Sequence, residues 1–190
     1  MAEEAIVVVS GLPRSGTSMM MKMLEAGGLP VMTDNLRTAD EDNPRGYFEF
    51  ERVKQIESDR EWLPEARGRV VKMISALLKH LPGDHRYRVI FMQREMGEIL
   101  ASQRQMLVRR GEDTERIDDR EMARLFARHL SQIESWLASQ PHMDVLYVRY
   151  SDVVAAPATQ AARVNAFLGG RLDEPAMVQA VDPGLYRQKA

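Results

Sequence analysis

The residues best suited to chemistry form a short glycine-containing turn near the start of the chain. It reads Gly-Leu-Pro-Arg-Ser-Gly-Thr-Ser and runs from Gly11 to Ser18. The β-branched run from Ile6 to Val9 precedes it, and residues 19–25, mostly good helix formers, follow it. A strand, a glycine turn and a helix N-terminus bring backbone N–H groups together at a point where the helix dipole favours an anion. The stretch therefore predicts a phosphate-binding loop.

This loop lacks the lysine that nucleoside-triphosphate enzymes carry in the pattern G-x-x-x-x-G-K-[ST]. Gly11, Gly16 and Ser18 fit that pattern, but Thr17 stands at the lysine position. Threonine cannot reach or neutralise the β- and γ-phosphates. The cation inside the loop is Arg14. We therefore expect the loop to hold one or two phosphate-like groups, with the guanidinium of Arg14 at the reacting end.

Two further cations lie near the ends of predicted strands. The run 69–73 predicts a short buried strand that contains Lys72, and the run 86–94 predicts a longer strand that ends at Arg94. Strands that alternate with helices indicate a parallel sheet covered on both faces. Ligands of such sheets bind outside the carboxyl ends of the strands. We expect Arg14, Lys72 and Arg94 to converge at this edge and to bind one polyanion.

The remaining pattern predicts an α/β fold, a three-layer sandwich with a central parallel sheet like that of P-loop NTPases, as one domain over residues 1–190. A further strand is expected over 143–149, and the polar segment 33–46 is expected to be a loop over the site. A charged loop is expected over 111–119. The apolar stripe that indicates the helix over 120–139 includes His129, which we expect to be packed rather than a ligand. The expected helices cover 15–26, 47–60, 95–110, 120–139, 157–168 and 174–180, with a helical turn at 77–81.

Composition limits the classes of function. The chain has 190 residues, of which 44% are hydrophobic and 28% charged, as in an ordinary globular protein. The net charge of −2 implies no general attraction to nucleic acid or to membranes. The lack of cysteine excludes a disulfide scaffold and a thiol nucleophile, and it fits a reducing compartment such as the cytoplasm. No apolar stretch approaches the ~20 residues of a membrane span, and the acidic N-terminus does not fit a signal peptide.

These motifs resemble those of the sulfotransferases that use 3′-phosphoadenosine 5′-phosphosulfate (PAPS). The loop from Gly11 to Ser18 is similar to that family's 5′-phosphosulfate loop, where Lys or Arg precedes Ser-Gly-Thr. Arg94, with Ser102 eight residues later, resembles the 3′-phosphate motif, although Met96 replaces the usual proline. Weaker similarities lie at 69–72, at 148–152 and at 166–169.

The resemblance implies a donor site and a reaction. The amides from Ser15 to Ser18, with the hydroxyls of Thr17 and Ser18, would hold the 5′-phosphate. Arg14 would stabilise the leaving bridging oxygen and Lys72 the sulfuryl oxygens. Arg94 and Ser102 would hold the 3′-phosphate and distinguish PAPS from ATP. PAPS would be the co-substrate, no metal would be needed, and the acceptor would be a hydroxyl or amine of a small molecule, carbohydrate or peptide.

The resemblance does not identify the general base. In cytosolic members the catalytic histidine lies two residues after the lysine, and that position is Ile74 here. Other branches use a carboxylate, and the two candidates are Asp34 and Glu49. Either could instead be structural, Asp34 as a turn residue and Glu49 as a charge that complements a helix dipole. A third alternative is that neither acts as the base.

Two other functions stay open at this stage. One is a nucleotide-binding protein of this fold without transferase activity, which the missing histidine and the short chain favour. The other is an ATP-dependent small-molecule kinase, against which the missing loop lysine argues. The sequence indicates neither the acceptor nor the oligomeric state.

Overall fold

Four parallel strands form the centre of the fold. The computed structural model describes residues 4–34, 48–109, 111 and 118–182. The sheet has the order β2-β1-β3-β4, and its strands are β1 (Ile6–Gly11), β2 (Val70–Lys72), β3 (Tyr87–Gln93) and β4 (Met143–Arg149). Val9 of β1 lies opposite Lys72 on one side and Ile90 on the other. The carboxyl ends of the strands therefore share one edge, as the sequence predicts.

Helices cover both faces of the sheet. They are α1 (Thr17–Ala26), α2 (Met96–Arg109), α3 (Asp119–Ala138), α4 (Tyr150–Ala155), α5 (Pro157–Leu168) and α6 (Glu174–Gln179). Five of them confirm predicted helices, whereas α4 is a short helix that the sequence analysis did not expect. Among the described residues, no helix is long and apolar enough to cross a membrane.

The helix predicted over 47–60 is wrong in type and length. The structure has a 3₁₀-helix over Glu51–Gln55, followed by a turn. Val53 and Ile56 are both buried and lie three residues apart, a spacing that places side chains on one side of a helix with three residues per turn. The helical turn expected at 77–81 is a 3₁₀-helix over Ser75–His80. Most of the predicted loops over 33–46 and 111–119 lies outside the described residues.

Strand β1 is buried along its whole length because both faces of the sheet are covered. Val7 and Val9 pack into a cluster with α1, α5 and α6, while Ile6 and Val8 pack into a second cluster on the opposite face. The second cluster includes Trp62 and residues of α3. The predicted three-layer α/β arrangement with a central parallel sheet is confirmed. It places the end of β1 rigidly at the middle of the carboxyl edge.

Candidate active site

The loop between β1 and α1 is tightly closed at both of its glycines. Gly16 precedes α1 with φ 98°, and Gly11 ends β1 with φ 150°. A Cβ on Gly16 would lie 2.4 Å from Cδ2 of Tyr150, and one on Gly11 would lie 2.5 Å from Oγ of Ser15. Side chains at these positions would collide with their neighbours, so the backbone can take this path only with glycine.

The inside of the loop is suited to an anion. Ser15 is only 1% exposed, and its Oγ has no hydrogen-bond partner among the described residues. An unpaired buried hydroxyl is costly, and a bound ligand is one way to satisfy it. Within the part of the chain that the structure describes, no side chain caps the N-terminus of α1, and its first turn contains no acidic residue. This helix end therefore keeps the positive potential that favours a phosphate.

Arg14 reaches from the loop to α2. Its Nε donates a hydrogen bond of 2.9 Å to Oγ of Ser102, a buried residue of that helix. Its φ is 69°, a left-handed conformation that is uncommon outside glycine. The structure thus brings together Arg14 of the first motif and Ser102 of the second. The backbone strain at Arg14 lies within the predicted site, where such strain is often found.

Lys72 lies on the other side of the loop. Its Nζ donates to Oγ of Ser18, in the first turn of α1, over 3.5 Å. Lys72 ends β2, which pairs with β1, so the register of the sheet fixes its position beside the loop. Thr17 and Ser18 are both half-buried at the start of α1. The Ser18 hydroxyl that the sequence predicts for the site therefore lies next to one of its predicted cations.

Arg94 follows β3 and contacts the loop directly. Its Nη1 donates to the backbone carbonyl of Arg14 over 3.1 Å, and its Nε donates to Oε2 of Glu98 over 2.8 Å. Its Cζ lies 4.3 Å from the ring centroid of Tyr150, which is a cation–π distance. Burial raises the pKa of the Tyr150 phenol, although the charge of Arg94 opposes that rise. The structure thus places Arg14, Lys72 and Arg94 in or against one loop at the carboxyl edge of the sheet.

Asp34 and Glu49 lie next to each other. Val31 pairs in parallel with Val70 of β2, so the residues after it run toward the carboxyl edge. The Asp34 amide donates to the carbonyl of Glu49 over 3.2 Å, and Oδ2 of Asp34 accepts from the Glu51 amide over 2.6 Å. Asp34 therefore holds the start of the 3₁₀-helix over Glu51–Gln55. Both candidate carboxylates are half-buried.

His129 of α3 is hydrogen-bonded to Ser75, the residue that follows Ile74. Ile74 itself is 49% exposed. The next residue, Ser75, is buried, and its Oγ lies 2.8 Å from Nε2 of His129. Burial lowers the pKa of His129, and the charge of Lys79 lowers it further. His129 is therefore half-buried and bonded to a serine.

Sequence reasoning did not assign roles to Glu98 and Tyr150. Glu98 could have been found, because it lies four residues after Arg94, a spacing that brings opposite charges together on a helix. Tyr150 lies within the weak similarity at 148–152, but its contacts with Arg94 and Gly16 come from the fold and could not be read from that motif. In the described ranges, no group of three or more His, Asp or Glu side chains could hold a metal ion.

The fold and site define an α/β protein with a glycine-closed loop between the first strand and the first helix and with cations gathered around that loop. A sequence model described as the sulfotransferase family matches residues 40–174. The chain therefore belongs to the sulfotransferase family, and its fold is the P-loop-like fold of that family. No curated protein sequence matches the chain significantly.

Solved structures show the same fold at low sequence identity. Sulfotransferase STF1 from Mycobacterium tuberculosis is 16% identical with a TM-score of 0.62, and the match covers 96% of this chain and 74% of that one. Mouse sulfotransferase SULT7A1, complexed with PAP, is 14% identical with a TM-score of 0.57, over 95% and 63% of the two chains. Retinol dehydratase, in complex with androsterone and the inactive cofactor PAP, is 17% identical with a TM-score of 0.50, over 92% and 62%.

Proposed function

We propose that the protein transfers a sulfuryl group from PAPS to a hydroxyl or amine of an acceptor. The observation that carries the proposal is the arrangement of Arg14, Lys72 and Arg94 around a glycine-closed loop. The buried Ser15 hydroxyl in that loop, without a partner among the described residues, fits an anionic ligand. Complexes of two structural relatives with PAP, the desulfated product of PAPS, support this choice of donor.

Each residue predicted for the donor site has a part in this proposal. The amides from Ser15 to Ser18, with the hydroxyls of Thr17 and Ser18, bind the 5′-phosphate. Arg94 and Ser102 bind the 3′-phosphate, which ATP lacks. When bound, PAPS supplies the sulfuryl group, and Arg14 and Lys72 stabilise the charge that develops as this group leaves. The acceptor class is a small molecule, carbohydrate or peptide, and androsterone in the retinol dehydratase complex is an example of a small molecule bound by a relative.

The first test is calorimetric titration with PAP (adenosine 3′,5′-bisphosphate) and, separately, with ATP and Mg²⁺. We expect PAP to bind without metal and more tightly than ATP with Mg²⁺, because the loop has Thr17 in place of the lysine that binds triphosphates. A preference for ATP with Mg²⁺ would instead support the kinase. Binding of PAP with no turnover of PAPS on a broad acceptor panel would support a nucleotide-binding protein without transferase activity.

The base is proposed to be Glu49. The backbone around Glu49 is fixed, since its carbonyl accepts from both Thr33 and Asp34. The carboxylate of Asp34 instead accepts the Glu51 amide and stabilises the 3₁₀-helix. A carboxylate held on a fixed backbone can take the proton of the acceptor as the acceptor oxygen or nitrogen attacks sulfur.

Glu49→Gln should therefore lower kcat about 10²-fold, because glutamine cannot accept the proton. Asp34→Asn is the matched control. It keeps an oxygen that can accept the Glu51 amide, so kcat should fall less than ~10-fold and the unfolding free energy by less than ~1 kcal/mol. The measurement is steady-state transfer from PAPS to an acceptor found in the panel. A large loss in Asp34→Asn alone would assign the base to Asp34.

A further inference from the structure

Arg94 is held by the protein itself on three sides. Its side chain is 8% exposed and that of its partner Glu98 is 5% exposed, so this is a buried ion pair. The Arg94 guanidinium also bonds the Arg14 carbonyl and stacks on the ring of Tyr150. A residue whose sole task was to bind a phosphate would not need this set of contacts to the loop.

These contacts reach the loop at two constrained points. One is the Arg14 carbonyl, which belongs to a residue with φ 69°. A strained conformation of this kind persists only where its surroundings hold it. The other is Gly16, which the ring of Tyr150 covers so closely that a Cβ would lie 2.4 Å from the ring. Arg94 connects these points, because it donates to the Arg14 carbonyl and stacks on Tyr150, whose ring covers Gly16.

We propose that Arg94, Glu98 and Tyr150 form a clamp that holds the loop in its phosphate-binding conformation. The clamp rests on the proposed function and extends it: Arg94 positions the 5′ side of the donor site in addition to contacting the 3′-phosphate. Since one residue serves both phosphates, the 5′ and 3′ sites are coupled. Binding of a nucleotide that has no 3′-phosphate then depends on Arg94 as well.

Calorimetry with two ligands separates the clamp from simple 3′-phosphate binding. The probes are PAP and adenosine 5′-phosphosulfate, which has no 3′-phosphate. Arg94→Lys keeps the charge but loses the planar guanidinium, whose separate N–H groups bond Glu98 and the Arg14 carbonyl at the same time. We expect it to weaken binding of both ligands at least fivefold. Arg86→Lys is the control, because Arg86 precedes β3 at the amino end of the sheet, where it donates to the carbonyl of Pro141. It should leave the binding of both ligands within twofold.

A loss confined to PAP in Arg94→Lys would overturn the clamp and leave Arg94 as a 3′-phosphate ligand alone. Hydrogen exchange of the free protein gives a readout that needs no nucleotide. Amides over residues 14–18 should exchange at least tenfold faster in Arg94→Lys and in Glu98→Gln, while those of α5 stay unchanged. Unchanged exchange over 14–18 in both variants would overturn the clamp. If neither nucleotide binds the unsubstituted protein but exchange rises as expected, the clamp stands and the donor assignment fails.

Discussion

Replacement of Arg14 by alanine should lower kcat for sulfuryl transfer about 10²- to 10³-fold. Arg14 is the cation inside the loop, and removal of one preorganised donor to developing charge typically costs that much. Its side chain is already oriented by the 2.9 Å hydrogen bond to Ser102, so little reorganisation is needed during the reaction. PAP should bind with less than about a tenfold loss, because the backbone amides of the loop remain. Steady-state transfer and calorimetry measure the two effects separately.

Two further substitutions at this position separate charge from backbone strain. Arg14→Lys keeps the cation and should retain more of the activity than alanine does. Arg14→Gly removes the cation but suits φ 69°, a conformation that costs an L-residue about 1–2 kcal/mol. Arg14→Gly should be as inactive as Arg14→Ala, and its unfolding free energy in urea should be at least as high as that of Arg14→Ala. An Arg14→Ala variant with unchanged kcat would mean that Arg14 holds the loop and does not act on the leaving oxygen.

The position of the site could be predicted because each part of it follows a strand with a clear local pattern. The runs before Arg14, Lys72 and Arg94 each indicate a strand by themselves, and parallel strands must end at the same edge. Once the sheet is parallel, the three cations must lie at the same edge, and the pairing of β1 with both β2 and β3 then brings them close together. The hydrogen bond between Arg14 and Ser102 follows from the same logic, because α2 begins just after β3.

Several long-range contacts in and around the site could not be predicted in the same way. The hydrogen bond between Ser75 and His129 joins residues 54 positions apart, and the sequence around either residue gives no indication of the other. The stacking of Arg94 on Tyr150 depends on β4 lying next to β3, which places the start of α4 beside the loop. The start of the 3₁₀-helix at Glu51 could not be predicted locally, because Asp34, which accepts its first amide, lies 17 positions away in sequence.

Gly16→Ala should lower the unfolding free energy by about 3 kcal/mol and weaken PAP binding more than 10²-fold. An alanine at φ 98° costs about 1–2 kcal/mol, and overpacking against Tyr150 adds about 1–3 kcal/mol. If the Tyr150 ring moves to make room, it leaves the guanidinium of Arg94, which bonds the loop. The substitution therefore damages the anion site both at the loop itself and through Arg94. Urea unfolding and calorimetry with PAP are the measurements.

Gly28→Ala isolates the part of this effect that comes from the backbone. Gly28 has φ 90°, close to that of Gly16, but a Cβ there would have nothing within 4 Å. It should lose about 1–2 kcal/mol of stability and bind PAP as the unsubstituted protein does. The difference between the two variants measures the contact of Gly16 with Tyr150. Equal losses of stability in the two variants would show that the Tyr150 ring moves aside at little cost. Unchanged PAP binding in Gly16→Ala would show that the phosphate site does not depend on the contact of Gly16 with Tyr150.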